Sequence, residues 1–237
     1  MHKNLIRRCK LLLAAVFGFI VLTGIAMIAY PGGSLHDRVT IHYNFFENFF
    51  SDLGATMTPS GKKNTISNIL FITALGGLGL VMIYFSKIWR GMDTDIHKLS
   101  AVGYLSKLCL ILSGASFIGV AFTPWNAYFN YHVLFVKSAF VFLLAWTILM
   151  IILQAGNIKI RKLLTANIIY VFILGWYVYY LFYGPKFGTD QDLEFQAGAE
   201  KAIVYITFIN MAFQAAGIQR FLRTADFRKG GSKNFYV

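Results

Sequence analysis

The stretch ISNILFITALGGLGLVMIYF, residues 66–85, contains no charged side chain from its first residue to its last. A helix needs about 20 residues to cross the hydrocarbon core of a bilayer, which is about 30 Å thick. Similar apolar stretches lie at about residues 11–30, 101–122, 133–153, 163–183 and 202–218. Because lipid offers no partner for backbone N–H and C=O groups, these stretches must be helices. The sequence therefore predicts an all-α bundle of six transmembrane helices, in one integral membrane domain spanning residues 1–237.

The composition excludes an ordinary soluble domain. Hydrophobic residues make up 57% of the chain and the mean hydropathy is +0.59. Charged residues make up only 14%, against about 25% in soluble proteins. The net charge of +12 could indicate nucleic acid, but no aromatic-basic face or motif of nucleic-acid binding accompanies it. We expect no nucleic-acid partner.

Lysine and arginine residues fall mainly on one side of the bundle if the six helices alternate in direction. That side carries Lys3, Arg7, Arg8, Lys10, Lys87, Arg90, Lys98, Lys159, Arg161, Lys162, Arg220, Arg223, Arg228, Lys229 and Lys233. The positive-inside rule places these residues, and with them both termini, in the cytoplasm. Contact with anionic lipid headgroups follows from the same charges. The compact chain favours a prokaryotic inner membrane.

The opposite, outer side carries most of the acids and histidines. These are Asp37, Glu47, Asp52, Asp190, Asp192, Glu194, Glu200, His36, His42 and His132. In the first outer loop, the segment YNFFENFF at residues 43–50 has aromatic residues at helical spacings. This spacing predicts a short amphipathic helix at the outer membrane interface, a depth that aromatic side chains favour. Any functional site is expected to open outward.

The segment FSDLGA at residues 50–55 supports two interpretations. In the first, it forms a tight turn in which Asp52 accepts backbone N–H bonds and Gly54 supplies a positive φ. In the second, Asp52 points into the outer mouth of the bundle as a ligand, a base or an anchor for a histidine. We take Asp52 and His132 as candidate catalytic residues and Ser51 as a candidate substrate-binding residue.

Residues 51–54, Ser-Asp-Leu-Gly, follow aromatic residues and precede a Pro-Ser-Gly turn at 59–61, Asn64 and the second apolar stretch. This arrangement resembles the signature of the DUF998 family of polytopic membrane proteins. It is similar, more distantly, to the Frag1/DRAM/Sfk1 group, where an Ile-Ser-Asp-x-Gly element opens the second span. The resemblance extends to six helices, to Tyr-Pro-Gly-Gly at 30–33 and to His132. It implies the fold, and the relatives' links to lipid and GPI-anchor biology and membrane trafficking imply a lipid-related role.

Two lysines fall inside or beside the apolar stretches. Lys137 is five residues after His132, so the two side chains point about 140° apart on a helix and serve different purposes. Lys137 either reaches the interface or pairs with a carboxylate or a lipid phosphate, and Asp52 and Glu200 are its candidate partners. Glu200 complements the dipole of a helix that begins there, and Lys201 is expected to be paired or to reach outward. Lys137, Glu200 and Lys201 are candidate substrate-binding residues.

These residues support several functions. The favoured hypothesis is an outward polar-aromatic mouth that binds a lipid or lipid-linked substrate. Whether the protein also processes that substrate is left open. The first alternative is a non-catalytic accessory subunit with a membrane-protein partner. The second is a zinc-dependent hydrolase built from His36, His42, His132 and Asp52, although no HExxH motif or fixed ligand spacing supports it. The sequence leaves the cofactor open and predicts no defined metal site. Transport is disfavoured, since the polar residues recognised deep in the spans are few: Thr73, Ser113, Ser116 and Asn210.

Overall fold

The computed structural model describes residues 2–91, 100–155, 160–184 and 189–231. Its long helices are α1 (His2–Ala29), α2 (Thr65–Phe85), α3 (Ser100–Phe122), α4 (Trp125–Ala155), α5 (Arg161–Tyr183) and α6 (Asp190–Gly231). Two short 3-10 helices lie at Phe50–Gly54 and Ser86–Gly91. All six long helices are long and apolar enough to cross a membrane. This confirms the predicted six-helix architecture of an integral membrane protein.

The six helices form a ring. Helices that follow each other in the chain pack together, and α6 also packs against α1. A chain of aromatic contacts joins four of them at the centre, because Phe208 of α6 contacts Phe19 of α1 and Phe117 of α3, at ring-centroid distances of 4.7 and 5.7 Å. Phe117 in turn contacts Phe140 of α4 at 5.6 Å. The outward faces stay apolar, as expected for surfaces that meet lipid tails.

Glycine permits one close helix approach. A Cβ atom added at Gly79 of α2 would lie 2.6 Å from the carbonyl oxygen of Gly114 on α3. Two glycines facing each other therefore let the backbones of α2 and α3 approach, a common device in membrane helices. A Cβ atom added at Gly77, two residues earlier, would meet no atom within 4 Å. The close approach therefore depends on Gly79, and Gly77 is not needed for it.

Helix α6 begins ten residues earlier than the Glu200–Lys201 boundary expected from hydropathy. Thr189 and Asp192 exchange hydrogen bonds at its start. The Asp192 carboxylate accepts from the backbone N–H of Thr189 at 3.1 Å, and the Thr189 hydroxyl accepts from the N–H of Asp192 at 3.2 Å. This reciprocal capping stabilises the first turn. Asp192 is therefore a capping residue. The expectation that α6 begins at Glu200 was wrong, because Glu200 lies about three turns into the helix.

The first loop, residues 30–64, is hereafter called loop 1. The amphipathic helix expected at 43–50 does not form; this segment consists of turns, and the helical element is the 3-10 helix that starts at Phe50. The Asn48 side-chain oxygen accepts from the Asn44 N–H, and the Asn44 side-chain oxygen accepts from the Phe46 N–H. Side-chain amides thus bond to backbone donors and compete with a helix.

A chain of side-chain amides joins α4, α5 and α6. Asn210 donates to Asn167, Asn167 to Gln154, and Gln154 to Gln214, at 2.8–3.0 Å. Gln214 then donates to the backbone carbonyl of Leu163 at 3.0 Å. All four side chains are buried. Only Asn210 was recognised from the sequence as a polar residue deep in a span, so the polar content of the interior was underestimated.

Candidate functional site

Loop 1 is anchored in the helix bundle by Phe50. The Phe50 ring contacts Phe19 of α1, Phe71 of α2 and Tyr205 of α6, at centroid distances of 5.7–5.9 Å. This insertion brings the 3-10 helix, which starts at Phe50, into contact with α1, α2, α4 and α6. Asp52, two residues later, is consequently only 1% exposed.

The Asp52 carboxylate is held by donors from its own loop. Its Oδ2 atom accepts from the Asn48 side chain and from the Phe49 backbone N–H, each at 2.9 Å. Burial raises the pKa of Asp52 to about 6, since a buried carboxylate loses its hydration. The Asn48 and Phe49 bonds, the charge of Lys201 and the Trp125 indole oppose that rise. Asp52 is thus a weak acid held inside the protein.

Lys201 of α6 is buried beneath loop 1. Its ammonium group donates to the backbone carbonyl of Asn48 and to that of Ala197, the latter at 2.8 Å. It also lies over the rings of Tyr43 and Phe45, 5.8 and 5.3 Å from their centroids. An ammonium this well surrounded gains cation–π attraction as well as hydrogen bonds. The sequence left two alternatives for Lys201, and the structure has the first: the side chain is paired beneath loop 1 and does not reach outward.

Glu200 bonds to the start of the 3-10 helix. Its Oε2 atom accepts from the backbone N–H of Phe50 at 2.9 Å, and the N–H of Ser51 also interacts with this carboxylate. Negative charge at a helix N-terminus is favourable. The dipole expectation for Glu200 thus applies to the 3-10 helix rather than to α6. Ser51 itself is half-buried at the rim of this arrangement.

The start of α2 binds the carbonyl groups of the 3-10 helix. The Asn64 amide donates to the carbonyls of Asp52, Leu53 and Ala55, at 2.9–3.3 Å. The tight-turn interpretation of residues 50–55 is confirmed in one respect, since Asp52 accepts the backbone N–H of Phe49. The φ value expected for Gly54 was wrong: among the described glycines, positive φ occurs at Gly32, Gly33 and Gly61. Gly54 is needed for a different reason, since a Cβ there would come within 2.5 Å of the Phe71 ring.

Two neighbouring polar atoms have no hydrogen-bond partner. They are Oδ1 of Asp52 and the indole nitrogen of Trp125, which begins α4. The Trp125 indole acts as a donor near the Asp52 carboxylate and helps to lower its pKa, but its N–H makes no hydrogen bond of normal length and angle to Oδ1. The acceptor, Asp52 Oδ1, lies on the 3-10 helix, and the donor, the Trp125 indole N–H, lies on α4. We refer to Asn48, Asp52, Trp125, Glu200 and Lys201 together as the loop-1 site.

His132 makes a local contact. It is 5% exposed, and its Nδ1 atom lies 2.7 Å from the carbonyl oxygen of Thr123. This bond closes the turn through Pro124, just before α4 begins. Tyr128, with φ −132° and ψ 49°, breaks the helical geometry between that turn and His132. The hydrogen bond that the structure gives His132 therefore goes to backbone, not to Asp52.

Lys137 contacts an aromatic ring on a neighbouring helix. It lies half-buried with its ammonium group 4.7 Å from the centroid of Phe182, near the end of α5. The structure assigns it neither Asp52 nor Glu200 as a contact. The six residues singled out from the sequence divide into two groups. Ser51, Asp52, Glu200 and Lys201 come together around the 3-10 helix. The described contacts of His132 and Lys137 are with Thr123 and Phe182 instead.

The zinc hypothesis receives no geometric support. In the ranges that the structure describes, no three His, Cys, Asp or Glu side chains are grouped so as to hold a metal ion. His36 and His42 are exposed on loop 1, whereas His132 and Asp52 are buried.

Two members of the loop-1 site, Asn48 and Trp125, were not identified from the sequence. Asn48 lay within the segment expected to be helical, and the only signal for it was an asparagine between aromatic residues. Trp125 lay in what was expected to be a short turn. No protein-family model matches this chain, and neither a curated protein nor a solved structure matches it.

Proposed function

We propose that this integral membrane protein binds a lipid or lipid-linked substrate at the loop-1 site. The observation that supports the proposal most strongly is the burial of Asp52, with one carboxylate oxygen left without a partner. A buried acceptor without a hydrogen bond lowers the stability of the folded protein. Folding by itself gives no reason for that loss, whereas a bound ligand could supply the missing donor. Charged groups at membrane depth are expensive, and they usually mark a functional site.

The surroundings of Asp52 fit the headgroup end of a lipid. The site lies where loop 1 covers the helix ends, beside the aromatic side chains Tyr43, Phe45 and Phe50. Aromatic residues favour the depth of the headgroups. The Ser-Asp-Leu-Gly motif at 51–54, which resembles that of the DUF998 family, points in the same direction, and a relationship to that family remains part of the proposal.

We propose binding rather than a reaction as the primary role. A catalytic Asp52–His132 pair would need the two side chains within hydrogen-bond reach of one substrate atom. The described contact of His132 is with the Thr123 carbonyl. Lys137, on the Phe182 face, is retained as a second contact for a headgroup phosphate.

The proposal is tested by native mass spectrometry of lipids that co-purify with the protein. We expect Asp52→Asn to reduce lipid retention by about tenfold, the effect of losing a hydrogen bond to a charged group. Asp37→Asn is the matched control, since it makes the same change in loop 1 at a carboxylate that accepts only nearby bonds. Equal retention by the wild type and Asp52→Asn, with both folded, would refute the proposal.

One observation favours the alternative of an accessory subunit. Loop 1 exposes six large apolar side chains, and the three most exposed are Val39, Ile41 and Phe46, at 84%, 67% and 71%. Such side chains fit a membrane-protein partner. On this alternative, purification in mild detergent yields a stoichiometric partner that Phe46→Ala loses. A single monodisperse monomer would argue against it.

A further inference from the structure

The unpaired atoms at the loop-1 site are complementary in a way that restricts the ligand. A carboxylate oxygen only accepts hydrogen bonds, and an indole N–H only donates them. A single group that satisfies both must donate to Asp52 and accept from Trp125. A hydroxyl group does both. A phosphate oxyanion cannot donate to Asp52 and is repelled by its charge, and a quaternary ammonium neither donates nor accepts.

The segments that carry these two atoms are joined at the surface by an exposed pair of hydrogen bonds. The Thr56 backbone N–H donates to the Asn126 side-chain oxygen at 3.0 Å, and the Asn126 amide donates to the Thr56 hydroxyl at 2.9 Å. Thr56 is four residues after Asp52, and Asn126 follows Trp125. Exposed bonds of this kind contribute little net stability. The non-helical Tyr128 separates this turn of α4 from the rest of the helix.

We propose that Asp52 Oδ1 and Trp125 Nε1 bind a hydroxyl group of a lipid headgroup, entering where Thr56 and Asn126 meet. The inference rests on the proposed lipid-binding function and adds the class of headgroup: one with a free hydroxyl, such as a glycerol, inositol or sugar. Water carries the same chemistry, so the test separates a lipid hydroxyl from a bound water.

Two short-chain lipids with the same acyl chains and the same charge are the probes: phosphatidylglycerol, which has headgroup hydroxyls, and phosphatidylmethanol, which has none. The protein is held in an amine-oxide detergent, because maltoside and glucoside detergents carry hydroxyl groups. Affinities are measured by titration for the wild type, Trp125→Phe and Asp52→Asn. Trp176→Phe, at a half-exposed tryptophan of α5, is the matched control.

We expect the wild type to bind phosphatidylglycerol about threefold to tenfold more tightly than phosphatidylmethanol, the effect of one or two net hydrogen bonds. Trp125→Phe should remove most of that preference, because it weakens the binding of phosphatidylglycerol more than that of phosphatidylmethanol. Trp176→Phe should keep the preference. Asp52→Asn should weaken the preference as well, and it serves as a second variant if Trp125→Phe does not fold.

Equal affinities of the wild type for the two lipids would mean that a water, and not a lipid hydroxyl, bridges the two atoms, and would overturn this inference while leaving lipid binding intact. A preference that survives in both Trp125→Phe and Asp52→Asn would overturn it too, because the hydroxyl would then bind elsewhere. Failure of the wild type to bind either lipid would contradict the proposed function itself.

Discussion

Lys201, on the last helix, donates a hydrogen bond to the backbone carbonyl of Asn48, 153 residues earlier in the chain. The same Asn48 uses its side chain to bond to Asp52 at 2.9 Å and to the Gly33 carbonyl at 2.9 Å. One lysine and one asparagine thus connect α6, the 3-10 helix and the start of loop 1. Loop 1 is part of the folded core, and its position depends on the positive charge of Lys201.

We expect Lys201→Met to destabilise the protein by about 3 kcal/mol, because it removes a charged donor from the Asn48 and Ala197 carbonyls and leaves Asp52 without its neighbouring cation. Lys137→Met is the matched control. Its ammonium lies over the Phe182 ring in a half-buried position, so its loss should cost less than about 1 kcal/mol. Thermal unfolding in detergent measures both. Similar losses from the two variants would show that Lys201 does not hold loop 1.

Stability should depend on pH through Asp52. Its pKa of about 6 in the folded protein lies above its unfolded value of about 3.9. Between these values the folded state keeps a proton that the unfolded state has lost, so stability decreases as pH rises from about 4 to about 6. Two pKa units correspond to about 3 kcal/mol.

The contribution of Asp52 is isolated by comparing the wild type with Asp52→Asn at pH 4.5 and pH 7.5, because the other titrating groups are shared. The wild type should lose stability relative to the variant as pH rises. Asp37→Asn should retain the wild-type slope in this window, since bonds from loop 1, chiefly the Val39 N–H, lower the pKa of Asp37. A constant difference between the wild type and Asp52→Asn would mean that Asp52 does not titrate there.

The amide chain between α4, α5 and α6 should depend most on the members that both donate and accept a hydrogen bond. Gln214→Leu removes the donor to the Leu163 carbonyl and the acceptor of Gln154, so we expect a loss of about 1 kcal/mol or somewhat more. Asn210→Leu removes only the terminal donor and should cost less. Unfolding of both variants by denaturing detergent tests the order, and a larger effect of Asn210→Leu would contradict it.

The close approach of α2 and α3 can be tested with two alanine substitutions. Gly79→Ala places a methyl group against the Gly114 carbonyl, so we expect a loss of about 1–3 kcal/mol from overpacking. Gly77→Ala places the same group in open space and should leave the melting temperature unchanged. Equal melting temperatures for the two variants would show that the helices can separate without cost.

The orientation in the membrane remains a prediction, based on the positions of lysine and arginine. A C-terminal green fluorescent protein should fluoresce, and a C-terminal alkaline phosphatase should be inactive, because the tail is expected in the cytoplasm of a prokaryotic cell. An active phosphatase fusion would invert the topology and place loop 1 inside.

Several features of the site could be predicted only in part. The importance of Asp52, Glu200 and Lys201 followed from charge next to apolar stretches, since such charges need partners. The partners of these residues could not be predicted in the same way, because Lys201 bonds to a loop carbonyl and Glu200 to a loop N–H. Hydropathy also placed the start of α6 too late, because it does not detect the Thr189–Asp192 cap.

By itself the sequence determined the six helices and the membrane setting. Long apolar stretches must satisfy their backbone groups internally in lipid, and this depends only on local composition. Tertiary structure alone decided that loop 1 folds over α6, that Asn48 and Trp125 meet Asp52, and that His132 and Lys137 lie elsewhere. Those pairings depend on where Phe50 inserts among the helices, and packing between residues distant in the chain has no local signature.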